Sequence, residues 1–189
     1  MAIKSIYQTL EIRGRINDLA KNGPYICSWD NSWLGDGFYF WDTFIDNAHW
    51  WGKTRKFESG YIICNAKIDY NEIDCCDLVG NTEHMFMFSD TYTLMKKKGL
   101  ITTDTTVKKL IIYLKFTLKI FNFEGIRVYC PTSKKFNSEY SLNLFFEHNR
   151  PWFIDFKPAI QICLYSKNSL NLRDYKIVFP DEYIEGYLV

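Results

Sequence analysis

Hydrophobic and polar positions along this chain switch between a period near two and a period near 3.6. Residues 2–10 alternate loosely around Ile3, Ile6 and Tyr7, which predicts a first strand. Gly14 and the run Asn22-Gly23-Pro24 break the chain before an apolar stretch over 25–29. Gly35-Asp36-Gly37 then opens onto four consecutive aromatics, Phe38-Tyr39-Phe40-Trp41, and predicts a buried strand leaving a turn. Asp42 stands in the N-cap position of a short amphipathic helix over about 43–54, in which Phe44, Ile45, Ala48 and Trp51 recur at helical spacing. Residues 59–68 return to strand character through β-branched and aromatic side chains.

The second half begins with an uneven helical pattern over 82–98, carried by Met85, Phe86, Phe88, Tyr92 and Met95. A clearer stripe of Val107, Leu110, Ile111, Leu114, Leu118 and Phe121 predicts the longest helix, 104–122, with lysines opposite. Gly125 ends it, and a strand follows at 126–130. A polar loop at 132–139, an apolar run at 142–146, a strand at 159–165 and a last strand at 176–179 complete the chain. Strands come first, helices cluster in the middle and strands return, an order that points to an α+β fold rather than alternating β-α-β units. No repeat, linker or low-complexity tract divides the 189 residues, so a single domain over 1–189 is expected.

Composition excludes more than it identifies. An apolar share of 47% with 24% charged residues is that of a globular protein. No apolar run approaches the roughly 18 residues of a membrane span, and the N-terminus lacks the pattern of a cleaved leader, so no membrane partner and a cytoplasmic location are expected. A formal charge of +1 argues against a protein held to nucleic acid by long-range attraction, although Lys96-Lys97-Lys98, Lys108, Lys109, Lys115 and Lys119 concentrate positive charge mid-chain. That cluster reads first as a solvated helix face and its flanking loop. The six cysteines lack paired zinc-ligand spacing, and His49, His84 and His148 have no second ligand at the required spacing, so no metal site is expected. Four of the thiols, Cys27, Cys64, Cys130 and Cys163, lie in apolar stretches as small hydrophobes. A Cys75 or Cys76 nucleophile beside His84 is disfavoured, because the Asp-Cys-Cys-Asp setting raises a thiol pKa.

Three separated stretches carry a resemblance. Leu34-Gly35-Asp36-Gly37-Phe38-Tyr39-Phe40-Trp41, running into a helix with Ala48 and Trp51, resembles the second motif of the ADP-ribosyltransferase family, a glycine-aromatic strand leading directly into a helix. The opening strand Ile6-Tyr7-Gln8-Thr9-Leu10 resembles the family's first motif, with Gln8 where the His-type branch has histidine. Ala159-Ile160-Gln161-Ile162-Cys163-Leu164-Tyr165 resembles the strand of the catalytic glutamate, with Gln161 in its place.

The resemblance implies an ADP-ribosyltransferase-like split antiparallel β-sandwich with flanking helices, taking NAD as substrate. It implies catalytic roles for Gln161 and Tyr39, and NAD contacts from Tyr7, Gln8, Thr9, Gly37, Phe38 and Trp51. Arg150, in the polar stretch before the third motif, is a candidate for the pyrophosphate. Cleaving the nicotinamide–ribose bond builds oxocarbenium character that a carboxylate stabilises, whereas an amide can only orient. With Gln161 in that position, slow turnover is expected unless Glu147 or Asp155 reaches in. The expected activity is transfer of ADP-ribose to a protein or nucleic acid inside the cell, as a toxin or defence protein. The alternatives are a catalytically silent nucleotide- or protein-binding relative and an unrelated interaction protein.

Overall fold

The alternating segment around Ile6 and the aromatic run at 38–41 both form strands and lie side by side in one sheet. The computed structural model describes residues 1–29, 32–130 and 138–184. Its strands are β1 (Ala2–Glu11), β2 (Phe38–Asp42), β3 (Tyr61–Tyr70), β4 (Cys75–Asp77), β5 (Gly125–Tyr129), β6 (Asn143–Phe145), β7 (Phe153–Asp155), β8 (Ile160–Leu164) and β9 (Arg173–Phe179). Its α-helices are α1 (Ile16–Asn22), α2 (Ile45–Arg55), α3 (Thr82–Lys97) and α4 (Val107–Ile112). Seven strands join in the order β4-β5-β8-β2-β1-β3-β9, while β6 and β7 pair as a separate hairpin. All neighbours are antiparallel except β4 and β5.

The chain is thus α+β with a mostly antiparallel sheet. Where the sequence reading expects a sandwich of two β-layers, β2 hydrogen-bonds to both β1 and β8 and joins the two halves into one layer. Helices supply the covering layer instead. On one face α2 lays Ala48 beside Trp41 and Ile63, and α3, α4 and the π turns after it bury Phe88, Met95, Leu110, Ile111 and Leu114 against Ile126, Val128 and Cys163. Leu114 is fully buried, so its truncation to alanine costs about 2–5 kcal/mol. On the opposite face α1 and Leu170 cover Ile6, Ile62, Cys64, Ile68 and Leu164.

Several elements differ from the sequence reading for physical reasons. Asp42 is not an N-cap: α2 starts at Ile45 behind Phe44, and the Asp42 carboxylate turns inward to Lys4 and Arg127. The 104–122 stripe becomes α4 followed by wider π turns over Tyr113–Leu118, and Phe121 reaches the core from beyond the helix end. Residues 25–29 make one bridge, Cys27 with Gly37, rather than a strand. The expected polar loop at 132–139 lies outside the described residues up to 137. Gly125 opens β5 rather than ending a helix. No helix among the described residues is long and apolar enough to cross a membrane.

None of the six cysteines forms a disulfide. Burial pushes the Cys76 thiol up to about 12, with Asp77 adding to the shift. His84 is occupied elsewhere, its Nδ1 accepting the backbone N–H of Asp77 at 2.9 Å, so the structure offers no Cys–His nucleophile here.

Candidate functional site

β1 and β2 run together only briefly. Pairing covers Ile6 with Asp42 and Tyr7 with Trp41, after which residues Gln8–Glu11 of β1 pair with β3 alone. The strands fork, and a cavity of about 500 Å³ opens in the fork. Ligand cavities commonly span roughly 300–1,000 Å³. One wall is Gln8–Glu11, the other is Tyr39–Trp41 with Gln161 of β8, and Tyr25, Cys27, Trp29, Trp33, Trp51 and Arg55 help to close the rest.

The fork is held open by one buried amide. Gln8 Oε1 accepts from the Tyr25 N–H (3.1 Å) and the Tyr175 hydroxyl (2.8 Å), and its Nε2 donates to the carbonyls of Tyr25 (2.9 Å) and Tyr39 (3.4 Å). Two donors and two acceptors exhaust a glutamine amide. Gln8 borders the cavity, but its polar capacity is spent on joining β1 to the 25–29 segment across the gap. The Thr9 hydroxyl is likewise engaged, donating to the Ala48 carbonyl at 2.8 Å.

Tyr39 lines the cavity with its ring, while its hydroxyl clamps the turn behind it. It donates to the Gly35 carbonyl at 2.7 Å and accepts from the Leu34 N–H at 2.9 Å. Burial drives its pKa far above the usual phenol range, which removes it as a proton donor or acceptor near neutral pH.

Gln161 presents more to a ligand. Trp33 donates its indole N–H to Gln161 Oε1 at 3.1 Å, which orients the amide, and the NH₂ makes no hydrogen bond to a described residue. The remaining walls are aromatic. Trp41, Trp50 and Trp51 form a cluster with ring centres 5.9–6.2 Å apart. The Arg55 guanidinium lies 5.4 Å from the Trp51 ring and 5.5 Å from Trp29, and it has no carboxylate partner among the described residues. Arg13, by contrast, is paired with Glu11 at 2.6 Å.

Five of the nine residues singled out from sequence border this cavity: Gln8, Thr9, Tyr39, Trp51 and Gln161. Tyr7 packs beside Trp41 under α2. Phe38 belongs to the core on the opposite face. Gly37 meets a packing need: a Cβ there would lie 2.5 Å from Cys163 Sγ and 2.7 Å from the Leu164 carbonyl. Arg150 lies in the β6–β7 turn, exposed and beside Glu147 and Trp152, outside the cavity. Glu147 and Asp155 are outside it too, and the carboxylate on its wall among the described residues is Glu11.

Comparison with protein-family models, with curated proteins and with solved structures finds no match.

Trp33, Arg55 and Glu11 were not legible as site residues from the sequence. Arg55 had a usable signal, since it follows Trp51 by four residues and so shares its helix face. Trp33 had none, because a loop brings it to Gln161 across 128 residues of chain. Among the described residues no group of three or more His, Cys, Asp or Glu side chains is placed to hold a metal ion.

Proposed function

We propose that this chain is an ADP-ribosyltransferase-like protein that holds NAD, or a nucleotide of the same build, in the cavity at the β1–β2 fork. The observation that carries this reading is the convergence of three stretches far apart in sequence. Around Gln8, Tyr39 and Gln161 they occupy the adjacent strands β1, β2 and β8 and border one cavity of about 500 Å³. Indole faces there suit a flat ring, the Arg55 guanidinium, with no carboxylate partner among the described residues, suits phosphate oxygens, and the Gln161 NH₂ can donate to a ribose hydroxyl.

The same geometry bears on turnover. With its oxygen engaged by Trp33, Gln161 offers the ribose a donor and no negative charge to oppose a developing oxocarbenium ion. Tyr39 is locked, and Glu11 is tied to Arg13. Binding with slow cleavage is the expected behaviour, and transfer would go to an acceptor inside the cell. A catalytically silent nucleotide-binding relative is the second reading, favoured by Gln161 alone.

Incubation with NAD labelled in the nicotinamide separates the two. Release that rises about a hundredfold in Gln161→Glu supports a transferase frame lacking its carboxylate. A tryptophan-fluorescence titration tests the site itself. Quenching by NAD that weakens in Trp51→Ala supports it, and no quenching at millimolar NAD defeats both readings.

A further inference from the structure

We propose that the exposed face of α4 and its π-helical continuation, with the C-terminal end of α3, is a docking surface for anionic membrane lipid. Between residues 96 and 120 the chain carries seven lysines and one acid, Asp104, in a protein whose formal net charge is only +1. Lys96, Lys97, Lys98, Lys109 and Lys119 are all exposed. Lys98 Nζ donates to the Tyr113 hydroxyl at 3.2 Å, which ties the lysine-rich end of α3 to the middle of the second helix and makes one surface of the two.

Large apolar side chains stand among these charges. Phe116 is 72% exposed, Ile120 50%, Leu100 48% and Ile112 46%. Ile112, Phe116 and Ile120 follow one another at four-residue spacing, while Leu110, Ile111 and Leu114 of the same segment face the core. The segment therefore turns one apolar side to the core, and its outward side interleaves lysines with a second set of apolar side chains. One apolar side meets the sheet, and the other meets no described residue that buries it.

Charge and shape select the partner. Every cation in the patch is lysine, a point charge suited to a diffuse field of headgroups rather than to the forked recognition of base edges that arginine provides. Three of the four exposed apolar side chains are aliphatic and offer nothing for bases to stack on, but they fit the acyl boundary just below lipid phosphates. A second copy of the chain would set lysines against lysines across a two-fold axis. An anionic bilayer surface satisfies both the charge and the ridge, with the protein lying on the membrane rather than spanning it. Lys108, one residue from Lys109, donates to the Ser32 hydroxyl at 3.3 Å, and Ser32 lines the fork cavity, so docking would hold that cavity close to the lipid.

Flotation with vesicles of phosphatidylserine and phosphatidylcholine, against phosphatidylcholine alone, tests this with the full chain. The expected result is binding to the anionic vesicles only, lost in about 0.5 M salt. Each membrane-facing lysine is worth about fivefold in partition. Replacing Lys96, Lys97 and Lys98 by glutamate should therefore weaken binding by well over tenfold, and Phe116→Ser should also weaken it, with circular dichroism unchanged in both variants. Failure to float with anionic vesicles overturns the proposal, as does binding that survives both substitutions and so belongs to another surface. Retention of a single-stranded RNA in place of vesicles, or a dimer abolished by Phe116→Ser without vesicle binding, overturns it in favour of those partners.

Discussion

The two ends of the β1–β2 pair use polar groups in opposite ways. At one end Asp42 is 2% exposed and takes Lys4 Nζ at 3.1 Å and Arg127 Nε at 2.7 Å, while Arg127 reaches on to Asp77 at 3.1 Å. Asp77 also accepts from the Tyr70 hydroxyl at 2.6 Å and from the backbone of Val79 and Gly80. Each of these charges has found an opposite one. At the other end, beyond Gln8, the strands part around a cavity whose Arg55 guanidinium and Gln161 NH₂ bond to nothing described. Buried polar groups that are paired maintain a fold, and polar groups left open on a cavity wall are available to a ligand.

Substitutions at the closed end should cost most. Asp42→Ala leaves Arg127 and Lys4 without their shared carboxylate and should destabilise the fold by about 3–5 kcal/mol in urea denaturation. Gln8→Ala strips the fork of four hydrogen bonds and should cost about 2–3 kcal/mol, with loss of the cavity seen as a red shift of tryptophan emission. Gly37→Ala forces β2 from β8 and should cost about 1–3 kcal/mol by the same measure.

A pH series sharpens the contrast. Burial pushes the Asp77 carboxyl up, but bonds from Tyr70 and the Val79 and Gly80 N–H groups, together with Arg127, outweigh it and hold the group below its usual range. A carboxylate depressed in the folded state contributes stability above its unfolded value of about 3.9, and that contribution is lost as pH falls through the lower folded value. Wild type should therefore lose stability over that acid range, and Asp77→Asn should be less stable at neutral pH with a flatter decline. The smallest effects belong to the open end: Arg55→Ala and Gln161→Ala should each change stability by no more than about 0.5 kcal/mol. A cost there as large as that of Asp42→Ala would erase the distinction between the two ends.

The α+β class and most of the strands were legible in sequence because alternation and aromatic runs are local signals. Short elements were not. β4 is three residues with an acid among them, and α1 is seven residues with polar side chains predominating, so neither repeats its pattern often enough to stand out. The Asp42 position misled for a definite reason. Aspartate before an apolar helix fits an N-cap, and only the arrival of Arg127 from 85 residues away makes it a buried counter-ion. The site followed the same rule. Aromatic residues on strands were visible, whereas the hydrogen bonds that occupy Gln8 and leave Gln161 half free depend on Tyr25, Tyr175 and Trp33, which are 17 to 167 residues away along the chain.

β8 has a consequence for how the chain is made. It sits between β5 and β2, yet residues 160–164 follow both of those strands in sequence. Until it is synthesised, β4 and β5 on one side and β2, β1 and β3 on the other have no hydrogen-bonded connection in the sheet. At roughly 5–20 residues per second the growing chain spends seconds with the facing edges of β2 and β5 unpaired, which is when a holding chaperone would act and when an off-pathway edge pairing would do most harm.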